Sequence, residues 1–320
     1  MAKAKTKPKL IALTGATGFV GGHILKAAVK AGYPVRAITR RPQNPRPGVD
    51  WVPGDLKDRQ ALKTLLEDAD VVIHCAGIVK ARRHAHFHEI NTQSLAHLLD
   101  MLQARRGGYG ATQVMFISSL TARHPDISPY AMSKHNAEEI LKSRGDDFPW
   151  TIIRPPAVYG PGDMEILKLF RVMKRGFAPV AGSIANSFSL IHGRDLAAAV
   201  LAAIGTKLAE NKTLEPDDRH PGGYTVLDVA GIVGQKLGRA VKPVVIPGML
   251  LHAAAFFNEI GAAVIGKAPI FARWKVREMA YPNWVSNQAS HAAMPGWKPK
   301  IGLKEGLNET IDWYQANGHL

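Results

Sequence analysis

The strongest constraint on the fold is an alternation of short apolar, β-branched runs with amphipathic segments between Lys9 and Pro156. Such an alternation is typical of a parallel sheet whose strands are joined by crossover helices. The six runs, each of which predicts one strand, are LIALTG, PVRAITR, VDWVPGD, DVVIHCAG, QVMFISS and WTIIRPP. We therefore predict an α/β fold with a Rossmann-type, doubly wound parallel sheet.

A glycine-rich turn, TGATGFVGG, follows the first predicted strand and precedes the first predicted helix. Gly15 permits a tight turn, Gly18 lets the backbone approach a pyrophosphate, and Gly21 allows the helix to pack closely. The amides at the start of that helix face the phosphate charge. The turn therefore predicts a dinucleotide site. Its predicted contacts also include Thr17, Phe19 and Val20.

Two arginines, Arg40 and Arg41, follow the second predicted strand. A chain that binds NAD would carry an acid there for the adenosine ribose hydroxyls, whereas a guanidinium suits a 2′-phosphate. We therefore predict NADP(H) in preference to NAD(H). The alternative is that both arginines are ordinary surface charges.

The predicted cofactor site is completed by the ends of three other strands and by Lys134, which can reach the nicotinamide ribose. The residues are Asp55 and Leu56 after the third strand, Cys75, Ala76 and Gly77 after the fourth, and Pro155 and Val158 after the sixth. The Asp55 carboxylate can accept a hydrogen bond from the adenine amino group, and the small residues leave room for the cofactor. We interpret Cys75 as a small core residue and not as a nucleophile.

The segment SPYAMSK places Tyr130 and Lys134 four positions apart, on one face of a predicted helix. An ammonium close to a phenol favours phenolate, so we predict that Lys134 lowers the pKa of Tyr130 and that Tyr130 transfers a proton. Ser119, which ends the fifth strand, is positioned to hydrogen-bond the carbonyl oxygen that Tyr130 protonates. Ser118 and Thr121 are the alternatives to Ser119.

These motifs, together with RPPAVYGPGD and the late segment GWKPKIGLKEGLNETIDWY, resemble the extended short-chain dehydrogenase/reductase family over essentially the whole chain. The resemblance implies hydride transfer at a nicotinamide, with Ser119, Tyr130 and Lys134 in the family's catalytic roles. It also matches Asn91 to a helix asparagine that is often seen in the family. A structural hydrogen bond to the backbone is the alternative role for Asn91.

The regular alternation weakens after Pro156, where the runs SFSLIH, GYTV and KPVVIP predict only short strands. We interpret this part as a smaller substrate domain, and the segment GRDLAAAVLAAI is suited to return to the sheet, so that the two domains interleave. The predicted division is a flexible basic arm over 1–8, an NADP(H)-binding domain over 9–156 with a return over 186–230, and a substrate domain formed by 157–185 and 231–320.

Two features distinguish this chain from the sugar-nucleotide enzymes that it resembles. Ala157 stands where those enzymes carry an asparagine. The segment between Ser119 and Tyr130 is short and lacks their VYG element. Both differences favour a reductase that acts on the ketone of a bulky apolar substrate, and the chain resembles bacterial ceramide (3-oxo-sphingolipid) reductases more than sugar epimerases. A keto-lipid such as 3-oxo-ceramide is the predicted substrate. Apolar residues that could line its pocket or form a core are the 246–266 segment, Phe170, Met173, Phe177, Phe271, Trp274 and Trp284.

Two other function classes stay open. One is a nucleotide-sugar epimerase or dehydratase, and the other is a structural or redox-sensing protein that binds NADP(H) without turnover. The histidines His84, His86 and His88 suggest a metal, but no acid or thiol completes a ligand set, so we predict no metal and place them in a mobile loop at the pocket mouth.

The net charge of +15 is large, and Lys3, Lys5, Lys7 and Lys9 form a short basic arm that could contact phosphates or anionic lipid headgroups, although we favour a solubilising disordered tail. The 246–266 segment is interrupted by polar residues, which predicts a core helix, a substrate lid or a membrane-surface helix and not a span. No nucleic-acid motif is present. A single cysteine and a start without an apolar leader predict a cytoplasmic protein, as a monomer or homodimer.

Overall fold

The computed structural model describes residues 8–104, 112–269 and 271–320, so most of the predicted basic arm lies outside the described residues. The strands in these ranges are β1 (Ile11–Thr14), β2 (Val35–Thr39), β3 (Val49–Pro53), β4 (Val71–His74), β5 (Gln113–Ile117), β6 (Trp150–Ile153), β7 (Ala157–Tyr159), β8 (Phe177–Ala181), β9 (Ser187–Phe188), β10 (Leu190–His192), β11 (Lys212–Leu214), β12 (Lys242–Ile246) and β13 (Asn283–Trp284).

The helices in the same ranges are α1 (Phe19–Lys30), α2 (Arg59–Leu66), α3 (His84–Phe87), α4 (Ser94–Gln103), α5 (Pro129–Ser143), α6 (Ile166–Met173), α7 (Gly193–Ala202), α8 (Val226–Leu237), α9 (Gly248–Val264), α10 (Arg273–Ala280) and α11 (Leu303–Ala316). A π-helical segment covers His88–Gln93, and short 3-10 helices cover Leu120–Arg123, Pro125–Ile127 and Gln288–Ala293. Within the described ranges, no helix has the length and hydropathy needed to cross a membrane.

Within the described residues, seven parallel strands form the central sheet, in the order β11-β6-β5-β4-β1-β2-β3. The chain runs outward from β1 to β3, returns to β4 beside β1, and then runs outward in the other direction. This order is that of a doubly wound sheet, so the predicted fold class is confirmed and the six predicted strands are present. The strand order reverses between β1 and β4, and the crevice at such a reversal is where ligands bind in these folds. The seventh strand, β11, has only three residues and was not predicted.

Each face of the sheet carries its own apolar core. On one face, Ile24 and Leu25 of α1 pack with Leu196 and Val200 of α7, and the cluster also includes Trp297 from far along the chain. The other face is covered by α2, α4 and α5. Complete burial of one such aliphatic side chain contributes about 1.5–3 kcal/mol, so the two clusters fix the positions of the strand ends.

A further apolar cluster holds α6, α8 and α11 together and contains Phe170 and Met173. Three two-stranded parallel sheets, β10-β7, β12-β8 and β13-β9, complete this part of the chain. The prediction of a strand at GYTV is wrong, because Tyr224 makes only an isolated bridge with Phe188. The chain enters α8 directly afterwards through a capping box between Thr225 and Asp228.

Candidate active site

The glycine turn lies at the crevice between β1 and β4. Gly15 has φ +75°, and a Cβ atom there would lie 2.7 Å from the amide nitrogen of Ala76, so only glycine fits. A Cβ on Gly21 would lie 2.0 Å from the carbonyl oxygen of Gly15, which shows how closely α1 packs on the turn. Gly18 begins α1 without a side-chain cap, and the first turn of the helix has no acidic residue. The amides of Phe19 and its neighbours are therefore available to an anion.

The hydroxyl of Thr14 connects the ends of β1 and β4. It accepts hydrogen bonds from the amides of Cys75 (3.2 Å) and Ala76 (3.0 Å), and it lies 3.1 Å from Nδ1 of His74. Burial lowers the pKa of His74 to about 3, and nearby Lys134 acts in the same direction, so the ring is neutral. Burial raises the pKa of the Cys75 thiol to about 11, which agrees with its interpretation as a packing residue.

Two arginines and an aspartate lie at the neighbouring strand ends. Arg40 and Arg41 are exposed beyond β2, and the described residues supply no carboxylate that pairs with either guanidinium. Oδ1 of Asp55 accepts hydrogen bonds from the amides of Lys57 (2.8 Å) and Asp58 (3.2 Å). The Asp55 carboxylate therefore stabilises the turn between β3 and α2. Leu56 is half-buried beside it.

The remaining predicted cofactor residues lie around the same crevice. Gly77 is packed so closely that a Cβ would lie 3.0 Å from Oδ1 of Asn91 and 3.3 Å from Nζ of Lys134. Pro155 is buried, and its carbonyl accepts a hydrogen bond of 2.9 Å from the amide of Leu120. Val158, in β7, is half-buried. The residues around the crevice fit a dinucleotide, because the turn excludes side chains and the start of α1 is uncapped.

The predicted catalytic residues come together at the ends of β5 and α5. The Oγ atom of Ser119 accepts a hydrogen bond from the hydroxyl of Thr121 at 3.0 Å, which leaves the proton of Ser119 free to be donated. Burial raises the pKa of Tyr130 to about 12, a hydrogen bond with Ser119 acts in the opposite direction, and the charge of Glu278 raises it further.

Lys134 is buried at the end of β5. Its Nζ donates a hydrogen bond of 2.8 Å to the carbonyl of Ile117 and lies 4.8 Å from the ring centroid of Phe116. Burial lowers the pKa of Lys134 to about 8. The prediction that Lys134 lowers the pKa of Tyr130 is therefore not supported, because burial of the phenol has the larger effect and acts the other way.

Ser118, the first alternative to Ser119, belongs to a buried ionic network. Its hydroxyl donates to the carboxylate of Glu138, which also accepts a hydrogen bond of 2.9 Å from Nε of Arg154. Arg154 lies 3.7 Å from Glu215, and Glu215 accepts a hydrogen bond of 2.9 Å from Arg123. The network connects the ends of β5, β6 and β11 with the segment after Ser119, so it holds the segment that carries Ser119 in place.

Asn91 lies in the π-helical segment and is completely buried. Its Oδ1 accepts a hydrogen bond from the amide of Ile78 (2.8 Å), and its Nδ2 donates to the carbonyl of Ile78 and to the hydroxyl of Ser133, both at 3.0 Å. The alternative structural role is thus observed: the side chain holds the segment after β4 against α5. Asn91 lies within the π-helical turn, which contains more residues per turn than an α-helix.

Two buried groups near Tyr130, Phe87 and Glu278, were not predicted from the sequence, whereas Trp274 was predicted as a pocket or core residue. Phe87 lies between Tyr130 and Trp274, with ring-centroid distances of 6.1 Å and 5.6 Å. Glu278, in α10, is almost completely buried and accepts a hydrogen bond from Ser128, the residue that caps α5. Ser128 and Glu278 are 150 positions apart, and no local pattern in the sequence indicates their contact.

The three histidines lie in helical structure and not in a loop, which corrects their predicted placement. His84 and His86 belong to α3, and His88 begins the π-helical segment. His84 and His88 are exposed, and His86 is half-buried. Among the described residues, no group of three or more histidine, cysteine, aspartate or glutamate side chains is arranged to hold a metal ion.

The fold and site define an NAD(P)-dependent enzyme of the oxidoreductase type. Residues 11–214 match the NAD dependent epimerase/dehydratase family. The chain belongs to this family, which confirms the predicted membership of the extended short-chain dehydrogenases/reductases.

Relatives of the chain differ in the activity that their names state. A ceramide reductase of Caulobacter vibrioides (strain NA1000 / CB15N) is 32% identical over 97% of this chain and 96% of its own length. A UDP-glucose 4-epimerase of Vibrio cholerae is 28% identical over 97% of each chain. Among solved structures, the UDP-glucose 4-epimerase of Thermotoga maritima with UDP-glucose has a TM-score of 0.74 at 18% identity and covers 96% of this chain and 99% of its own. At that identity the structural likeness shows the fold alone.

Proposed function

We propose that the protein reduces the ketone of a bulky apolar substrate with NADPH, and that the substrate is a keto-lipid of the 3-oxo-ceramide type. The observation that carries this proposal is the environment of Tyr130. Its phenol is hydrogen-bonded with Ser119, lies beside the ring of Phe87, and has a pKa raised to about 12. A phenol with that pKa keeps its proton at neutral pH, and reduction of a ketone needs a proton donor at the carbonyl oxygen.

The dinucleotide, when bound at the glycine turn, supplies the hydride. In the proposed reaction Tyr130 donates its phenolic proton to the ketone oxygen, and the Ser119 hydroxyl hydrogen-bonds the same oxygen and orients it. Lys134, held against Gly77 and Ile117, provides a positive charge at the crevice when it is protonated.

The preference for NADPH rests on Arg40 and Arg41. Both guanidinium groups are exposed at the end of β2, next to the strand that carries the glycine turn. A 2′-phosphate at that position gives each guanidinium a charged acceptor, whereas a ribose hydroxyl does not.

The substrate class rests on Ala157, on the aromatic wall and on one relative. Ala157 is exposed at the start of β7 and offers no amide to a nucleotide sugar. Phe87 and Trp274 form an apolar wall beside Tyr130. The relative named ceramide reductase covers nearly the whole chain. A nucleotide-sugar epimerase is the second candidate, because other full-length relatives carry that name.

A single screen separates these candidates. NADPH and NADH oxidation is followed by absorbance with a 3-oxo-ceramide in detergent, a ketosteroid and a dTDP-4-keto sugar, and conversion of UDP-glucose is followed by chromatography. We expect oxidation of NADPH with the keto-lipid, in preference to NADH, and a Tyr130→Phe variant sets the background. Conversion of a nucleotide sugar without any keto-lipid reduction would replace the proposed function by the epimerase. Dinucleotide binding without turnover of any substrate would indicate the non-enzymatic alternative.

A further inference from the structure

One face of α9 is apolar and exposed along its whole length. The side chains on this face are Met249, Leu250, Phe256, Phe257, Ile260 and Val264. Met249 is 83% exposed, Phe257 70% and Val264 81%, whereas the buried residues of the helix, Leu251 and Ala255 among them, lie on the opposite side. Soluble proteins rarely expose an apolar surface of this length without a partner.

A basic cavity opens beside the same helix. It has a volume of about 630 Å³, and α9 contributes His252 and Glu259 to its wall. Its cationic side chains are Arg82, Arg83, Lys267, Arg273 and Arg277. Glu259, the one carboxylate of this wall in the described part of the chain, is paired with Arg273 at 2.9 Å. The other four cations therefore leave the cavity with an excess of positive charge.

Apolar surface and positive charge lie next to each other here, and that combination distinguishes between the possible occupants. Two copies of the chain that met face to face about a two-fold axis would bring the same cations together, which opposes a dimer through this face. A bilayer with anionic headgroups satisfies both features, because its acyl region takes the apolar side chains and its phosphates take the cations.

We propose that this surface binds an anionic lipid bilayer, with α9 lying in the membrane interface and the basic cavity holding headgroup phosphates. Trp274 lines the cavity and contacts Phe87, which in turn contacts Tyr130. A chain of aromatic contacts therefore connects the basic cavity with the phenol. The binding itself goes beyond the proposed reaction and does not depend on it.

The test is flotation of the full-length protein with vesicles of phosphatidylcholine, either alone or containing phosphatidylglycerol. We expect binding to the anionic vesicles only. A Phe257→Ser, Val264→Ser double variant should lower the partition coefficient about tenfold or more, since both side chains lose their burial in the membrane. Arg83→Gln and Lys267→Gln should each lower it about fivefold.

Matched controls use exposed residues elsewhere. Leu208→Ser removes an apolar side chain that is 57% exposed, and Lys30→Gln removes a cation from the last turn of α1. Neither should change the partition coefficient. All of these side chains are on the surface, and circular dichroism establishes that each variant folds.

Four results would overturn the proposal. The first is equal binding, or none, to the two kinds of vesicle. The second is a loss of binding in the controls that matches the loss in the α9 variants. The third is stabilisation by inorganic phosphate without vesicle binding. The fourth is a dimer in light scattering that the Phe257→Ser, Val264→Ser variant dissociates. Turnover of a water-soluble ketone in the same variant is measured separately, so a failure of membrane binding and a failure of the proposed reaction give different results.

Discussion

Replacement of Lys134 by methionine should change how the stability of the protein depends on pH. Lys134 is 4% exposed, and burial lowers its pKa from 10.5 to about 8. Between these two values the unfolded chain binds more protons than the folded chain, so the contribution of this lysine to the free energy of unfolding rises with pH. Below pH 8 the folded state carries the full cost of a buried ammonium, and above pH 10.5 it carries none.

The size of the effect follows from the shift. A displacement of about 2.5 pKa units corresponds to a cost of about 3 kcal/mol at pH 7, which falls to about 1 kcal/mol at pH 10. The Lys134→Met variant lacks this cost at both pH values. Its other losses, such as the hydrogen bond to Ile117, should vary little with pH in this range. The difference in stability between variant and wild type should therefore shift by about 2 kcal/mol between pH 7 and pH 10, in favour of the wild type as pH rises.

The assay is urea unfolding followed by circular dichroism at a series of pH values. Groups that titrate identically in both proteins cancel in the difference. Lys30→Met, at the surface end of α1, serves as a control for the loss of one positive charge. A difference between wild type and Lys134→Met that stays constant from pH 7 to pH 10, or that changes in the opposite direction, would refute the reasoning about the buried ammonium.

Four further outcomes are expected. Tyr130→Phe should lower kcat about a hundredfold or more while the Kd for NADPH, measured by fluorescence, stays unchanged; an active variant would exclude Tyr130 as the proton donor. Substitution of Arg40 and Arg41 by serine should raise the Kd for NADPH about tenfold or more and leave that for NADH unchanged, and an equal change for both cofactors would contradict the assignment. Gly15→Ala places a Cβ at φ +75° and 2.7 Å from a backbone nitrogen, so it should cost about 1–3 kcal/mol in urea unfolding and abolish dinucleotide binding in titration calorimetry. Arg154→Met removes the nearer cation from the buried carboxylate of Glu138 and leaves it only Lys142 at 3.9 Å, so the loss of stability in urea unfolding should be about 3 kcal/mol; an unchanged midpoint would show that the pair does not stabilise the fold.

The parts of the molecule that could be predicted from the sequence are those that depend on neighbouring residues. The glycine turn at Gly15 has both of its flanking elements, β1 and α1, beside it in the chain. The helix that carries Tyr130 begins at Pro129, because a serine cap and a proline in the first turn are both local signals. Strand β11 carries too few residues to give a periodic signal.

The electrostatic environment of the site could not be predicted in the same way. The pKa of Tyr130 depends on burial and on Glu278, which comes from a helix near the end of the chain. The position of the Lys134 ammonium depends on the carbonyl of Ile117, which the packing of α5 on the sheet brings into reach. Four-residue spacing shows that two side chains share a helix face, but the surrounding fold decides where each of them points.

The core on the α1 face of the sheet also has a consequence for synthesis on the ribosome. Its cluster is completed by Leu196 and Val200, and it includes Trp297. When the nascent chain has emerged only as far as Pro156, β6 is an open edge and the apolar side of α1 is uncovered. The next 58 residues, up to the end of β11 at Leu214, supply α7 and the strand that pairs with β6, and they need roughly 3 to 12 seconds at the usual elongation rates of about 5–20 residues per second. For that interval the nascent chain exposes an apolar helix face and an unpaired strand edge, the two kinds of surface that make partly folded chains prone to aggregation.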